Sequence, residues 1–417
     1  MPLLDQNFID FDVNQAEIGR LLFFDKMLSG NENISCATCH HPAFGTSDGL
    51  SLGIGEGGEG LGPKRTPGAG LDRIEKRVPR NAPALWNLGA REVSILMHDG
   101  RISIGADYEN GFNTPAEEWL PDGLNSLLAA QALFPLTSAT EMAGGSEENE
   151  VAGAVNDRID YGWPIVAKRV RTIPAYGAMF VESFDHINAP EEVTITEIAN
   201  ALAAFVGREF RSNDSALDRH LSGELSLPAA AMKGMELFYG KANCASCHSG
   251  PLFTDHQFHA LALPAFGPGR TRRFDPMVRD VGRMGESDRL EDAYRFRTPA
   301  LRNVALTAPY GHNGAYPTLA AMLRHHADPA QSRASWQRSD AALTPVPWLA
   351  SIDFVVQSDR LEMARVAASA SVDVPRLGEK EIADLIAFLN SLTGQAAADA
   401  AFDIPAEVPS GLPVDQP

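Results

Sequence analysis

The sequence predicts a mainly α protein built from two similar units. No convincing run of alternating apolar and polar residues indicates β-strands, whereas several segments repeat their apolar residues at helical spacing. An internal duplication is the third observation: Gly19–Phe24 resembles Gly234–Tyr239, and Glu197–Leu202 resembles Glu381–Ile386. The duplication predicts that each unit opens with one amphipathic helix and closes with another.

The same five-residue motif, Cys-x-x-Cys-His, follows the opening helix of each unit. It occupies residues 36–40 (the first pentad) and 244–248 (the second pentad), and the two copies use all 4 cysteines. The motif is typical of covalent haem c, in which both sulfurs bond the porphyrin and the histidine binds iron. A zinc site would need further ligands nearby, and a thioredoxin-like pair would not need the histidine. The predicted haem-binding residues are Cys36, Cys39 and His40 for the first group and Cys244, Cys247 and His248 for the second.

Helix, haem loop and closing helix form the plan of a cytochrome c. We therefore expect two cytochrome c-like domains with one covalent haem c each, an N-terminal domain over 1–212 and a C-terminal domain over 213–396, followed by a tail over 397–417. A chain of 417 residues is long enough for both to bury a core. Within the first domain, repeated Gly and Pro over Gly53–Gly70 exclude a regular helix and favour a loop or flexible flap.

Charge and hydropathy restrict the partners and the compartment. The formal net charge of -19 argues against nucleic acid, whose phosphates attract clustered Lys and Arg. No stretch approaches the length of uninterrupted apolar residues that a membrane-spanning helix needs. Haem c is normally attached outside the cytoplasm, and Met1–Gln6 has neither a basic nor an apolar signal region. We therefore expect a periplasmic protein whose signal peptide is absent from this sequence.

Further motifs accompany the two pentads. They are Arg80–Leu85, His98–Arg101, Gln131–Ala132, Glu141–Met142, Thr298–Val304 and Thr307–Tyr310. With these motifs the chain, from about Asn14 to Leu392, resembles the bacterial di-haem cytochrome c peroxidases and their relative MauG, the enzyme that matures methylamine dehydrogenase. The resemblance implies that the first haem reacts with hydrogen peroxide, that the second haem passes electrons to it, and that calcium lies between the two domains.

The resemblance also implies the residues of the peroxide pocket. Glu141 stands at the position of the catalytic distal glutamate, and Gln131 and Pro135 match the other distal residues. Cleaving the O–O bond requires an open iron face and an acid/base group that moves a proton between the peroxide oxygens. Ordinary members carry a displaceable histidine where this chain has Glu56, which we interpret as a solvated carboxylate, with weak oxygen ligation as the alternative. We therefore expect a five-coordinate first haem that accepts peroxide while fully ferric.

At the second haem, the family's axial methionine is replaced by His326, fourteen residues after His312. The resemblance then implies bis-histidine ligation by His248 and His326, and imidazole in place of thioether should lower the reduction potential. His325 is the neighbouring alternative and Met322 a weaker one. The two adjacent histidines cannot both face the iron, because they point about 100° apart on a helix.

Three residues match the family's calcium site, and two positions depart from the family. The Asn81 side chain and the main-chain carbonyls of Thr307 and Pro309 would supply the hard oxygen ligands that calcium prefers. His98 replaces the usual interhaem tryptophan, and we interpret it as a hydrogen-bonded core residue, with a redox relay as the alternative. Ala242 replaces the tryptophan through which MauG draws electrons from its protein substrate.

These observations lead to one principal hypothesis and two alternatives. The principal hypothesis is a periplasmic peroxidase that reduces hydrogen peroxide with electrons from a small donor protein, either a cytochrome c or a cupredoxin. The first alternative is a MauG-like enzyme that oxidises a side chain of a partner protein. The second is a non-catalytic electron-transfer cytochrome, which the distal group around Glu141 argues against. A homodimer is left open.

Overall fold

Helices dominate the chain, which a computed structural model describes over residues 2–270, 278–399 and 402–417. The α-helices in these ranges are α1 Val13–Phe24, α2 Cys36–Cys39, α3 Leu127–Ala132, α4 Glu150–Asp157, α5 Trp163–Arg171, α6 Pro174–Ser183, α7 Ile195–Glu209, α8 Ala216–Leu221, α9 Ala229–Tyr239, α10 Met284–Ser287, α11 Leu319–Ala327, α12 Pro329–Ser335, α13 Arg360–Ala368, α14 Glu379–Asn390 and α15 Gln395–Asp399. The prediction of a mainly α protein is confirmed. No helix in the described ranges is both long and apolar enough to cross a bilayer.

The described strands are very short. They are β1 Ile95–Leu96, β2 Ile102–Ile104, β3 Phe112–Asn113, β4 Phe258–His259 and β5 Phe296–Arg297. The first three form an antiparallel sheet in the order β1-β2-β3, with Leu96 opposite Ile102. The last two form an antiparallel pair, with Phe258 opposite Arg297. These small sheets position loops and do not form a layer of the fold.

The two closing helices begin with capping interactions that the sequence encodes. Thr194 is the N-cap of α7, and its backbone N–H donates to Glu197 at 2.8 Å, which is one half of a capping box. At the start of α14, the Gly378 N–H donates to Glu381 at 2.9 Å. A carboxylate in the first turn also complements the partial positive charge at a helix N-terminus.

A glycine brings the opening and closing helices of each unit into close contact. A Cβ atom at Gly19 of α1 would lie 1.9 Å from the carbonyl oxygen of Ala201 in α7. A Cβ atom at Gly234 of α9 would lie 1.9 Å from the carbonyl oxygen of Asp384 in α14. No residue with a side chain permits this approach. The similarity between Gly19–Phe24 and Gly234–Tyr239 therefore corresponds to the same helix contact in both units.

Phenylalanine pairs repeat beside these glycines. The ring centroids of Phe23 and Phe205 are 5.1 Å apart at 54°, and those of Phe238 and Phe388 are 5.1 Å apart at 58°. Such tilted aromatic pairs stabilise a core beyond the area that they bury. The first pair lies in the larger apolar core, formed mainly by α1, α3 and α5–α7, and the second lies in a smaller core formed by α8, α9 and α14.

The register of the repeat differs slightly from the one that the sequence suggests. The internal duplication aligns Glu197 with Glu381, and both residues cap their helices. However, Ala201 lies four residues after Glu197, whereas Asp384 lies three residues after Glu381. The distance along the helix from cap to glycine contact is therefore one residue shorter in the second unit, a difference that the apolar pattern alone cannot reveal.

The glycine-rich stretch Gly53–Gly70 is held in place, unlike the flap that the sequence suggests. Arg65 is only 2% exposed, and its guanidinium donates to the carbonyls of Ile54, Gly55 and Gly60 at 2.7–2.8 Å. The Arg65 carbonyl in turn accepts a hydrogen bond from Thr344 Oγ1 at 3.1 Å. A single buried arginine thus ties the loop to itself and to the second half of the chain.

The C-terminal segment 402–417 packs against the first core. Val408 is buried there, and the Phe402 ring lies 5.7 Å from that of Trp86. Asp415 accepts a hydrogen bond from Thr38 Oγ1 at 2.8 Å and pairs with Lys26 at 2.6 Å. Because Thr38 belongs to the first pentad, the end of the chain directly supports that loop.

Candidate functional site

The first pentad forms α2, a single helical turn that begins after Ser35. Residues three apart lie on the same side of a helix, so Cys36 and Cys39 face the same way. His40 follows the turn, and its Nδ1 lies 3.1 Å from the Thr46 carbonyl oxygen. This hydrogen bond makes Nδ1 the donor and leaves Nε2 available for iron. Burial raises the pKa of both thiols to about 12.

The second pentad is arranged in a similar way but lies nearer the surface. His248 Nδ1 lies 3.0 Å from the Phe253 carbonyl oxygen, which again leaves Nε2 available. Asn243, just before the second pentad, and Ser246, within it, are exposed, whereas Ala37 and Thr38 of the first are fully buried. Burial lowers the pKa of His248 to about 4, so the imidazole is neutral, as a metal ligand must be.

The two adjacent histidines of α11 have different roles. The His325 side chain is fully buried, with Nδ1 2.8 Å from the Tyr316 hydroxyl and Nε2 2.7 Å from the Leu261 carbonyl oxygen. Both of its ring nitrogens are therefore occupied. His326 uses only Nδ1, which lies 2.9 Å from the Met322 carbonyl oxygen. Of the two, His326 alone has the free Nε2 that an iron ligand requires.

A cavity of 340 Å³ joins the predicted ligands of the second haem. Its walls include Cys244, Cys247, His248 and His326. The arrangement of hydrogen bonds is the same at His40, His248 and His326, with Nδ1 held by a backbone carbonyl in each case. The residues present therefore fit iron ligation at two sites, one with a single described histidine and one with two.

Glu141 lies in a π-helical turn, Ala139–Ala143. The Ser138 carbonyl accepts hydrogen bonds from the backbone N–H groups of Glu141, Met142 and Ala143 at 2.9–3.1 Å. The Met142 carbonyl accepts another from Gly30 at 2.8 Å. Such turns are uncommon and frequently occur at functional sites, because they re-aim one side chain.

The three predicted distal residues come from one continuous segment. Gln131 lies in α3, Pro135 begins the following 3-10 turn, and Glu141 follows in the π-helical turn. Burial raises the pKa of Glu141, and the positive charges of Arg101 and Arg270 partly oppose this effect. The Glu141 charge, in addition to burial, raises the pKa of the Cys39 thiol, which places the glutamate within electrostatic range of the first pentad.

Glu56 is not the solvated carboxylate that the sequence suggests. It is half-buried, and its Oε1 accepts hydrogen bonds from Asn31 at 2.9 Å and from Asn33 at 2.7 Å. The preceding Gly55 packs against the Glu141 turn, since a Cβ atom there would lie 1.9 Å from the Thr140 carbonyl oxygen. The glycine loop therefore lies against the distal segment, while the Glu56 carboxylate is held by two amides.

A buried aspartate between the two halves is a feature that sequence reasoning missed. Asp99 is fully buried and pairs with Arg80 at 2.6 Å, Arg101 at 3.1 Å and Arg270 at 3.0 Å. Although burial opposes ionisation, the three guanidinium groups hold the pKa of Asp99 well below its usual range. Arg101 and Arg270 also act on Glu141, so the aspartate fixes the charges that control the proposed acid/base group.

Known proteins with similar sequences and structures indicate the family of this chain. The family model described as di-haem cytochrome c peroxidase matches residues 13–226. The methylamine utilization protein MauG of Methylorubrum extorquens is 31% identical over 77% of this chain and 70% of its own length. The cytochrome c551 peroxidase of Nitrosomonas europaea is 28% identical over 74% of this chain and 71% of its own.

The chain belongs to the di-haem cytochrome c peroxidase family. It is therefore an oxidoreductase of a family that carries two haem c groups. A solved structure titled as a MauG-like protein associated with microbial copper homeostasis superposes with a TM-score of 0.61 at 25% identity, covering 97% of this chain and 95% of that one. The family thus includes both peroxidases and MauG proteins among the relatives of this chain.

The residues matched to the calcium site of di-haem peroxidases are among those that line the 340 Å³ cavity. Asn81, Thr307 and Pro309 all line it. Asn81 Nδ2 donates to the Leu50 carbonyl at 2.7 Å, and in the described ranges no group donates to its amide oxygen Oδ1. The amide is thereby oriented with an oxygen left free, and this oxygen is a suitable calcium ligand.

At the position of the interhaem tryptophan, His98 behaves as a neutral polar residue of the cavity wall. Its Nε2 lies 3.0 Å from the Asn81 carbonyl oxygen. Burial and the nearby Arg80 lower its pKa to about 4. These contacts support the interpretation of His98 as a hydrogen-bonded core residue. Ala242, at the other position that departs from MauG, is fully buried beside the second pentad.

Proposed function

We propose that this chain is a periplasmic peroxidase that reduces hydrogen peroxide to water at the haem of the first pentad. Electrons reach that haem through the second one, and no prior reduction of the protein is needed. The observation that carries this proposal is the placement of Glu141 in a partly buried π-helical turn, where its charge acts on Cys39 of the first pentad. Burial raises the pKa of Glu141 towards the working pH, as suits a group that must both accept and return a proton.

Two cytochrome c-like domains would hold the haems, with boundaries near 1–212 and 213–396. His40 would bind the first iron, and His248 with His326 the second. Bound haem iron supplies the redox chemistry: two electrons and two protons convert one hydrogen peroxide into two waters. At the first pentad the described residues offer one histidine ligand, His40. An iron with a single protein ligand could still accept peroxide.

The chain's own contribution to the reaction is proton transfer. In its ionised form, Glu141 would take the proton from one peroxide oxygen and return it to the other, which leaves as water. Arg101 preserves part of the ionised population because its positive charge lowers the pKa that burial raises. Gln131 offers amide groups to the peroxide, and Pro135 fixes the turn between that residue and the glutamate.

The loop around Glu56, where related enzymes carry the displaceable histidine, would allow the oxidised protein to react with peroxide directly. Position 56 carries a glutamate and therefore no imidazole. Its carboxylate already accepts hydrogen bonds from Asn31 and Asn33. Gly55 packs against Thr140, and Arg65 holds the loop by three hydrogen bonds. A loop held in this way does not need to move before peroxide binds.

Electrons would enter at the second haem, whose pentad lies at an exposed part of the surface. A small electron-donor protein, either a cytochrome c or a cupredoxin, would dock there. Calcium bound by the Asn81 side chain and by the carbonyls of Thr307 and Pro309 would stiffen the wall between the haems.

Turnover measurements test the proposal. Purified holoprotein mixed with peroxide and a reduced cytochrome c or cupredoxin should oxidise two equivalents of donor per peroxide. Absence of turnover with both donor classes, together with unchanged haem spectra on adding peroxide, would reject it.

A second candidate function is oxidation of a side chain on a partner protein, as in MauG. The missing displaceable histidine and the 31% identity to a MauG protein favour it. The replacement of two tryptophans by His98 and Ala242 opposes it. In the same assay, this function predicts that peroxide alters the haem spectra but that donors are not turned over, and that the spectra recover quickly only when the partner protein is added.

A further inference from the structure

His256 has no partner for its side chain in the described part of the chain. Both ring nitrogens, Nδ1 and Nε2, are buried without a hydrogen bond. Leaving a buried polar group unpaired is destabilising, so native proteins rarely do so. The ring lines the 340 Å³ cavity together with Cys247 and His248. The missing hydrogen-bond partner of the imidazole must therefore come from the group that fills the cavity.

The backbone at His256 is held in an unfavourable conformation. Its φ of 54° lies in the left-handed region, which residues with a side chain rarely adopt. The conformation is fixed by Thr254, whose Oγ1 accepts the His256 N–H at 3.0 Å and donates to the Thr298 carbonyl at 2.7 Å. Strain that the surrounding structure imposes in this way tends to occur at functional sites.

The same loop positions the iron ligand of the second pentad. Phe253, three residues before His256, also has a left-handed backbone, with φ of 58°. Its carbonyl oxygen lies 3.0 Å from His248 Nδ1. The turn between the two residues thus orients the ligand and places the His256 ring on the cavity wall at the same time.

Nearby charges indicate which chemical group the imidazole would meet. Arg297 lines the same cavity, and its guanidinium donates to the carbonyls of Met97 at 3.1 Å and Thr298 at 3.2 Å. Burial and the positive charge of Arg297 lower the pKa of His256, so the ring is neutral and has one N–H to donate. The neighbouring carboxylate of Asp255 is engaged by His259 at 2.9 Å. A neutral N–H donor beside a partly buried cation is a suitable environment for an anionic oxygen acceptor.

We infer that His256 donates a hydrogen bond to a propionate carboxylate of the second haem and thereby raises the reduction potential of that haem. The propionates are the anionic groups of haem c, and they fit both the imidazole N–H and the Arg297 guanidinium. The inference rests on attachment of the second haem and does not depend on peroxidase activity.

Hydrogen bonding to a propionate changes the redox equilibrium by a simple electrostatic effect. A propionate whose charge is partly neutralised stabilises ferric iron less than a free one does. His256 therefore acts as a positioning residue that favours the ferrous state. It would offset part of the potential that the second haem loses by having imidazole in place of thioether.

Potentiometric titration of the holoprotein tests the inference with two variants. His256→Phe keeps a planar ring but removes the donor, and we expect it to shift the reduction equilibrium of the second haem roughly tenfold towards ferric, about 59 mV for one electron. His256→Gln keeps an N–H donor and should recover most of this shift. The first haem should keep its potential in both variants.

His220→Phe is the matched control, because His220 lies on α8 with Nδ1 3.1 Å from the Leu225 carbonyl oxygen and does not line the cavity. An unchanged second-haem potential in His256→Phe, or equal shifts in the Phe and Gln variants, would overturn the inference. If His256→Phe does not take up the second haem, redox difference infrared spectra of the unaltered protein with labelled propionates decide. A hydrogen-bonded carboxylate band that His256→Gln shifts supports the inference, and a band that His256→Gln leaves unchanged rejects it. A failure of peroxide turnover would leave these results unaffected.

Discussion

Replacing Glu141 by Gln is the perturbation that probes the proposed chemistry most sharply. Gln has almost the same shape, so it should preserve the π-helical turn, in which three backbone N–H groups donate to the Ser138 carbonyl. It cannot carry a proton between the two peroxide oxygens. We therefore expect the oxidised Glu141→Gln protein to bind both haems with unchanged spectra but to react poorly with peroxide.

The magnitude follows from the role of the side chain. A positioned acid/base group contributes about 10²–10⁴-fold to rate, so kcat/KM for peroxide should fall by about that factor. The pH dependence follows from the raised pKa of Glu141, because the ionised form is the one that accepts a proton. Activity of the unaltered protein should therefore be lost on acidification at a higher pH than an ordinary glutamate would give. Arg101→Gln removes a charge that lowers this pKa, and the acid limb should move to still higher pH.

Stopped-flow mixing of peroxide with the oxidised protein measures this effect. Glu147→Gln is the control, since Glu147 is exposed and lies in the loop that follows the π-helical turn. A Glu141→Gln protein that keeps more than about a tenth of the unaltered kcat/KM would refute the proposed proton shuttle.

The remaining predictions concern the second haem, calcium and the core. His326→Ala should convert the second haem from low-spin to high-spin in the absorption spectrum, whereas His325→Ala should leave that spectrum unchanged and cost about 1–3 kcal/mol in a denaturant titration, because it leaves buried partners unpaired. A chelator should slow turnover of the unaltered protein and have no further effect on Asn81→Ala; equal chelator sensitivity of the two proteins would contradict the calcium site. Arg302→Met should lower the free energy of unfolding by about 3–5 kcal/mol, because it leaves Asp218, a buried partner at 2.6 Å, without a counter-charge.

The features that the sequence could predict are those marked by local patterns. The haem loops are contiguous pentads, and the closing helices show an apolar period and capping residues. The glycines at the start of the two similar segments, Gly19 and Gly234, mark close helix contacts. Family spacing selected His326 over His325. The structure supplies the physical reason, which is that Tyr316 and Leu261 occupy both ring nitrogens of His325.

Contacts between distant segments could not be predicted from those patterns. The glycine-rich loop has the composition of a flap, and only contacts made in the fold, such as the hydrogen bond from Thr344 to the Arg65 carbonyl, show that it is held. Arg80 reaches Asp280 across the two halves of the chain, and Asp415 reaches Thr38. A lone charged residue carries no local signal for a partner several hundred positions away, so these pairs emerge only when the chain is folded.

An absorption spectrum of the fully oxidised holoprotein, recorded before and after adding one equivalent of peroxide, tests the central claim most directly. The account predicts one high-spin haem beside one low-spin haem, and a rapid change on adding peroxide with no reductant present. Two low-spin haems with no response to peroxide would show that a protein ligand already occupies the first iron, and the account would be wrong.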